Sequence, residues 1–312
     1  MVANVCWFIQ SHRDPVQILR LLRAIRRGSD GPIVLRHDHD VTPLDPRPFL
    51  EVGNVELLPG SGRQHRGYYS GQIQPYLALL AWLETTGVRY DWLINLTAQD
   101  YPVTPIQEIE SFLATTPRDG FMRWWNVLGP DSPWSRRKAR ARYWHRYRLL
   151  PARFTLVLRA LRLLTRISPF HFYFDYGPAI GIRRFRVPYH DGLHCLGGRS
   201  WWTIRHAVAS FVLDFVRQNP DFVRHYEGVI TPEESMVQTI LVNSSSFDLV
   251  NDDLRYIDYS AATRGGAPRT LTVADLPLLA TGRYHFARKF DLGVDSEVLD
   301  RIDWELLGLS PP

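Results

Sequence analysis

The chain reads as an α/β protein with a mostly parallel central sheet covered by helices on both faces. Two observations predict this. Short apolar runs alternate with amphipathic stretches of ten or more residues through the first hundred positions. The apolar runs are also continuous rather than alternating, as strands buried on both faces require.

Taken in order, "NVCWFIQSH" is a buried strand and "DPVQILRLLRAIRR" an amphipathic helix opened by an Asp-Pro pair. "GPIVLRHDHD" is a second strand with polar residues at its carboxyl end, and "NVELLP" a third. "GQIQPYLALLAWLETTG" is a helix, and "YDWLINLTAQDYPV" a strand running into a loop. Ligands of such sheets bind beyond the carboxyl ends of the strands, which is where the polar clusters fall. Residues 124–166 are dense in arginine and aromatics, and "ARFTLVLRALRLLTR" sets apolar residues at helical spacing against arginines. Two readings stand open there. One is a surface helix pair with solvated arginines; the other is a basic lid or groove, over residues 136–166, that holds an anionic acceptor or lies against an anionic membrane surface.

"CLGGRSWWTIRHAVASFVLDFVRQNP" reads as a tight turn, a short strand and a helix. "ITPEESMVQTIL" reads as a helix start, with Thr231 as N-cap, Pro232 in the first helical position and Glu233 and Glu234 complementing the helix dipole. "DLRYIDYS" is a strand, "RGGAPRTL" a loop, and "YHFARKFD" lies near the end. No repeat and no linker divides the chain, so one compact unit is expected.

A length of 312 residues, with 45% hydrophobic and 22% charged, excludes wholesale disorder. The excess of 37 Lys plus Arg over 32 Asp plus Glu gives +5 and predicts an anionic partner. Cys6 and Cys195 are too few for a disulfide framework; Cys6, inside "VCWFI", reads as a buried strand residue. A reducing, cytosolic setting is the simplest inference. The amino terminus lacks a signal-peptide pattern and no run of about 18 apolar residues spans a bilayer, so a soluble chain made in the cytoplasm is expected. No P-loop, Gly-x-Gly-x-x-Gly or Gly-x-Ser-x-Gly elbow is present, which argues against nucleoside triphosphatases, dinucleotide dehydrogenases and serine hydrolases. The "DHD" at Asp38–Asp40 matches a divalent-cation Asp-x-Asp in form but follows the second strand. Asp38 is better read as a hydrogen-bond acceptor for a uridine ribose or base, and His37 and His39 lack further ligands, so no metal site is expected.

Seven stretches, "CWFIQSHRDPVQILRLLRAI", "GYYSGQIQPYLALLAWL", "WLINLTAQDYPV", "GGRSWWTI", "ITPEESMVQTIL", "DLRYIDYS" and "HFARKFD", occur in the order found in the core-2/I-branching glycosyltransferases. The chain resembles that family, which includes β-1,6-N-acetylglucosaminyltransferases and protein xylosyltransferases, from roughly Val5 to Asp291. The resemblance implies a GT-A type fold with a Rossmann-like nucleotide-binding half. It also implies a UDP-sugar donor, inversion at the anomeric centre, no metal and no cofactor. Residues 1–120 are then the nucleotide-sugar half, 121–190 a basic helical insertion on the acceptor side, and 191–312 the half carrying the base and the diphosphate site.

By the same resemblance the base falls on Glu234 of "TPEE". The diphosphate falls to Lys289 of "ARKF" and to Arg269 of "PRTL", which is matched across a gap. Asp38 serves the uridine side, and Asp100 of "TAQDYP" lies beside the donor sugar or supports the site. Arg288 and His12 are further donor-side candidates, and Tyr256, Trp201 and Trp124 are aromatic candidates on the acceptor side. Such residues suit the chemistry. One carboxylate deprotonates the acceptor hydroxyl while the diphosphate departs from the opposite face. Fixed cations neutralise the charge that builds on the leaving group, each contact contributing about 3 kcal/mol. The animal members carry a membrane anchor and several disulfides, and this chain looks like a compact, bacterial-type version, so their acceptor does not carry over. N-acetylglucosamine or xylose is the expected sugar, and a glycan, glycolipid or metabolite the expected acceptor. Two other classes remain: a nucleic-acid-binding surface built from the Arg/Trp segment, and a catalytically silent carbohydrate-binding relative.

Overall fold

A computed structural model describes residues 2–60, 65–161, 170–190, 192–260 and 267–309. In chain order the amino-terminal elements are β1 (Val5–Ser11), α1 (Pro15–Arg26), β2 (Ile33–His37), α2 (Arg47–Leu50), β3 (Val55–Leu57), α3 (Ile73–Thr86), β4 (Trp92–Thr97), β5 (Asp100–Pro102), α4 (Ile106–Thr115) and β6 (Gly120–Asn126). The middle holds α5 (Arg136–Tyr143), β7 (His145–Leu149), α6 (Thr155–Leu161), β8 (Phe170–Tyr173) and β9 (Ala179–Arg183). After it come β10 (Leu196–Arg205), α7 (His206–Gln218), α8 (Pro220–Tyr226), α9 (Met236–Ser244), β11 (Leu249–Val250), β12 (Arg255–Ile257), α10 (Leu276–Ala280), β13 (Phe286–Arg288) and α11 (Val298–Glu305).

Seven strands form the main sheet in the order β11-β6-β10-β4-β1-β2-β3. Every pairing is parallel except those of β10, which runs against β4 and β6. Side chains alternate across β1, and both faces are apolar: Val5, Trp7 and Ile9 enter one core with α1 and α4, while Cys6 and Phe8 enter the other with α3, α7 and α9. Trp7 is wholly buried and its Nε1 donates to Ser29 Oγ at 3.0 Å; truncation to Ala would cost about 3–5 kcal/mol. Both cysteines are buried and unpaired, and burial pushes both thiols up. As its Asp-Pro opening predicts, α1 begins with the Asp14 side chain accepting from Gln17 N at 3.1 Å and Pro15 in the first turn.

Four local expectations are corrected. The "loop" after β4 contains β5, which joins β12 and β13 in a second, three-stranded sheet. The Gly-Gly at 197–198 is no turn but lies inside the ten-residue β10, where a Cβ on Gly198 would sit 2.0 Å from the Arg123 carbonyl oxygen. The basic middle is no helix pair: α5 and α6 are separated by β7, which forms a three-stranded antiparallel sheet with β9 and β8. Residues 162–169 of the expected second helix lie outside the described residues. Finally, the helix of "TPEESMVQTIL" starts at Met236; Thr231 is left-handed (φ 51°) and Pro232–Glu234 make a separate 3-10 turn. Among the described residues no helix is long and apolar enough to cross a membrane.

Candidate active site

A cavity of about 1150 Å³ opens beyond the carboxyl ends of β1, β2 and β4, the position that open α/β sheets reserve for ligands. Because β10 runs the other way, its amino-terminal half reaches the same end and brings Arg199 and Trp201 to the wall. A bulge between Gly198 and Trp202 re-aims this half. The buried Asn95 amide accommodates the bulge, donating to Ser200 O and accepting from Trp202 N, each at 2.7 Å.

The turn that carries the acid pair packs against β10, and the two carboxyls differ. Thr231 N donates to Gly67 O (2.8 Å), Tyr143 Oη donates to Thr231 O (3.2 Å), and Ser235 Oγ donates to Leu196 O (2.7 Å), so the turn is pinned at both ends. Gly67 itself is left-handed (φ 75°), and a Cβ there would run into the Tyr176 ring at 2.0 Å. Glu234 is half-buried and forms an ion pair with Arg142, which stacks over Trp134 at 4.6 Å. Burial opposes the charge on Arg142, but the Glu234 carboxylate together with Tyr143, Tyr173 and Tyr176 more than offsets this and pushes it up. Glu233 does not cap a helix, as its place in the sequence suggests; it is buried in the cavity wall. Its Oε2 has no hydrogen-bond partner among the described residues. Burial first, and then the charge of Glu234, push the Glu233 carboxyl up to about 8.

The same cavity is lined by several cations. Arg288 on β13 sits directly across from Asp100 on β5 and pairs with it at 2.9 Å. Lys289 follows, its backbone fixed by Leu271 N donating to its carbonyl at 2.9 Å. The buried Gln17 of α1 clamps this end by donating to Ala98 O (2.9 Å) and Phe290 O (3.0 Å). Among the described residues Lys289 has no carboxylate within ion-pair distance. Partial burial, then Arg13, Arg288 and Arg66, lower its pKa. Arg13, Arg66, Arg288 and Lys289 all line the cavity, Arg13 paired with Asp291 at 3.0 Å, and the excess of cations favours an anion.

His12 and Asp38 line the same cavity, at the ends of β1 and β2. Asp38 N donates to Ser11 O (2.9 Å) and its side chain accepts from Asp40 N (3.2 Å). His37 is structural, bonded to Ser11 Oγ (2.8 Å) and Thr42 O (2.7 Å). Asp100 is buried behind the wall, where it accepts from Arg288 and from Trp201 Nε1 (3.2 Å); it supports the site rather than facing it. Trp201 lines the cavity with the Arg288 guanidinium 4.0 Å from its ring centre, so one ring face is already occupied. No group of three or more His, Cys, Asp or Glu side chains converges among the described residues.

Three candidates lie elsewhere. Arg269 is held by Asp258 (2.7 Å) and Asp275 (2.6 Å) and is not part of the cavity wall, although Ala267 and Pro268 are. Tyr256, on β12, packs against Tyr284 away from the cavity. Trp124 lines a second cleft of about 630 Å³ on the other side of Trp125, which borders both. Conversely, sequence reasoning missed Arg142, Arg66, Arg13 and Tyr176. Nothing in "RRKARARY" distinguishes the one arginine that turns inward from its solvated neighbours.

A mostly parallel sheet with one reversed strand, helices on both faces and a polar cavity at the strand ends defines an α/β protein of GT-A type. The chain belongs to the Core-2/I-Branching enzyme family, whose model matches residues 39–279. It is similar to xylosyltransferase 2 of Rattus norvegicus, 26% identical over 249 residues covering 74% of this chain and 25% of that one. It is also similar to beta-glucuronosyltransferase GlcAT14A of Arabidopsis thaliana, 25% identical over 229 residues covering 72% of this chain and 44% of that one. The chain thus spans less than half the length of these curated relatives. Among solved structures, a 4-diphosphocytidyl-2C-methyl-D-erythritol synthase from Anaerococcus prevotii aligns over 89% of this chain and 94% of its own. Its TM-score is 0.36 and its identity 7%, a likeness too distant to bear on the site.

Proposed function

We propose that the protein is an inverting glycosyltransferase that moves a sugar from UDP to an acceptor hydroxyl without a metal. One observation carries this reading: Glu234, Arg288 and Lys289 line a single cavity at the carboxyl end of the sheet. Glu234 takes the proton of the acceptor hydroxyl, the acceptor oxygen bonds to the anomeric carbon, and the bond from that carbon to the diphosphate breaks, releasing UDP. Arg142 orients the base through their ion pair. Lys289 and Arg288 meet the charge that develops on the diphosphate, the work a cation does in metal-dependent enzymes. Asp38 and His12, which line the same cavity, take the nucleoside end of the donor in this reading. Xylose and N-acetylglucosamine are the leading donor sugars, with glucuronic acid added on the strength of the plant relative's name. The acceptor is a glycan, glycolipid or metabolite. A UDP-release screen over these three UDP-sugars, with and without EDTA, tests the reading. Turnover unaffected by chelation is expected; turnover lost with EDTA and restored by manganese would overturn metal independence.

A further inference from the structure

The charge of the chain is concentrated in one place. Residues 136–190 carry 14 Lys plus Arg and a single acid, Asp175, so this segment is +13; the remainder, with 23 basic and 31 acidic residues, is −8. The described residues of the segment form α5, the β7-β9-β8 sheet and α6. Tyr147 and Ala179, with Tyr173 against them, turn one sheet face inward. On the other face the register sets Arg146 beside Ile182 and Arg148 beside Ile180. Both arginines are exposed.

The same unit holds eight of the seventeen large hydrophobic side chains that are exposed among the described residues. Phe185 is 93% exposed and Leu156 77%, and Phe154, Val157 and Ile182 accompany them. Single exposed apolar residues are ordinary, but so many in one unit that also exposes Arg148, Arg153, Arg159, Arg183 and Arg186 are not. We propose that this face is a membrane-docking surface, which seats the protein on an anionic lipid bilayer. Arginines meet lipid phosphates, while Leu156, Val157 and Phe185 enter the boundary between headgroups and acyl chains. A nucleic acid would satisfy the arginines but offers no apolar phase for the aliphatic side chains. On its inner side the unit supplies Lys138, Arg142, Asp175 and Tyr176 to the cavity, so docking would bring the cavity to the lipid surface.

Sedimentation of the full chain with vesicles tests this. The protein should pellet with phosphatidylcholine vesicles containing phosphatidylglycerol and stay in solution with pure phosphatidylcholine. Leu156→Ser, Val157→Ser and Phe185→Ser combined should weaken partition about tenfold or more, as should Arg148→Glu with Arg153→Glu. All these side chains are exposed, and thermal melts followed by circular dichroism establish that the variants are folded. No partition of the wild type would overturn the proposal. So would partition that the serine variant leaves unchanged and that duplex DNA competes away, which would mark a site for polyanions in general. Partition needs no sugar transfer, so its outcome is independent of the catalytic reading.

Discussion

Glu233 and Glu234 are neighbours in sequence and opposites in circumstance. Glu234 can share its partner Arg142 with a substrate hydroxyl, and Glu234→Gln removes the proton acceptor while keeping the shape. Turnover should fall about 10²–10⁴-fold with UDP affinity, read by calorimetry, nearly unchanged. A matching loss of UDP binding would show that the residue serves the donor instead. Glu233 is buried with its carboxyl raised from 4.5 to about 8. Between those values the native state holds a proton that the unfolded chain has released. Stability therefore falls as pH rises through this window and levels off above it. Melting temperature measured across the window should decline for the wild type, and Glu233→Gln should flatten the decline; parallel curves would mean that Glu233 is not neutral in the native protein. At Lys289, where Arg13, Arg66 and Arg288 outweigh the nearby Asp291, Lys289→Ala should weaken UDP binding as well as turnover. Unchanged affinity would remove it from the diphosphate site.

Elements set these residues in place, and their legibility in the sequence varies for physical reasons. β1, β2 and α1 could be read directly, because strands buried on both faces are continuous apolar runs and an Asp-Pro pair opens a helix. β10 was read short, since Gly-Gly signals a turn in sequence. In the fold those glycines let the strand pass close to Arg123 and Trp134. Gly198→Ala should therefore destabilise by about 1–3 kcal/mol, measured by denaturant titration; no loss would mean that the strand edges separate more easily than their contacts suggest. β7 was invisible because its outward positions carry arginine, so "HRYRL" resembles a solvated basic helix more than a half-buried strand. Motifs in the sequence single out Glu234, Lys289 and Asp38, and the fold brings these three to one cavity. The site was not legible where it rests on pairing between distant elements, as at Arg142, or where a matched residue finds local carboxylates, as Arg269 does in Asp258 and Asp275.

At the scale of the molecule, the cavity is lined by the ends of the amino-terminal strands, by the basic middle unit and by residues after 190, with one reversed strand in the sheet between them. During synthesis Trp92–Thr97 emerges about a hundred residues before Leu196–Arg205, its neighbour on that side, and in the interval its backbone donors and acceptors offer a ready template to another nascent copy. A fragment stopping at residue 190 should accordingly be recovered as aggregate, and a soluble fragment with a cooperative melt would contradict this. Completion of the cavity and closure of the most adhesive edge are one late event, so any variant that slows arrival of the reversed strand should lower soluble yield before it lowers the melting temperature of the molecules that do fold.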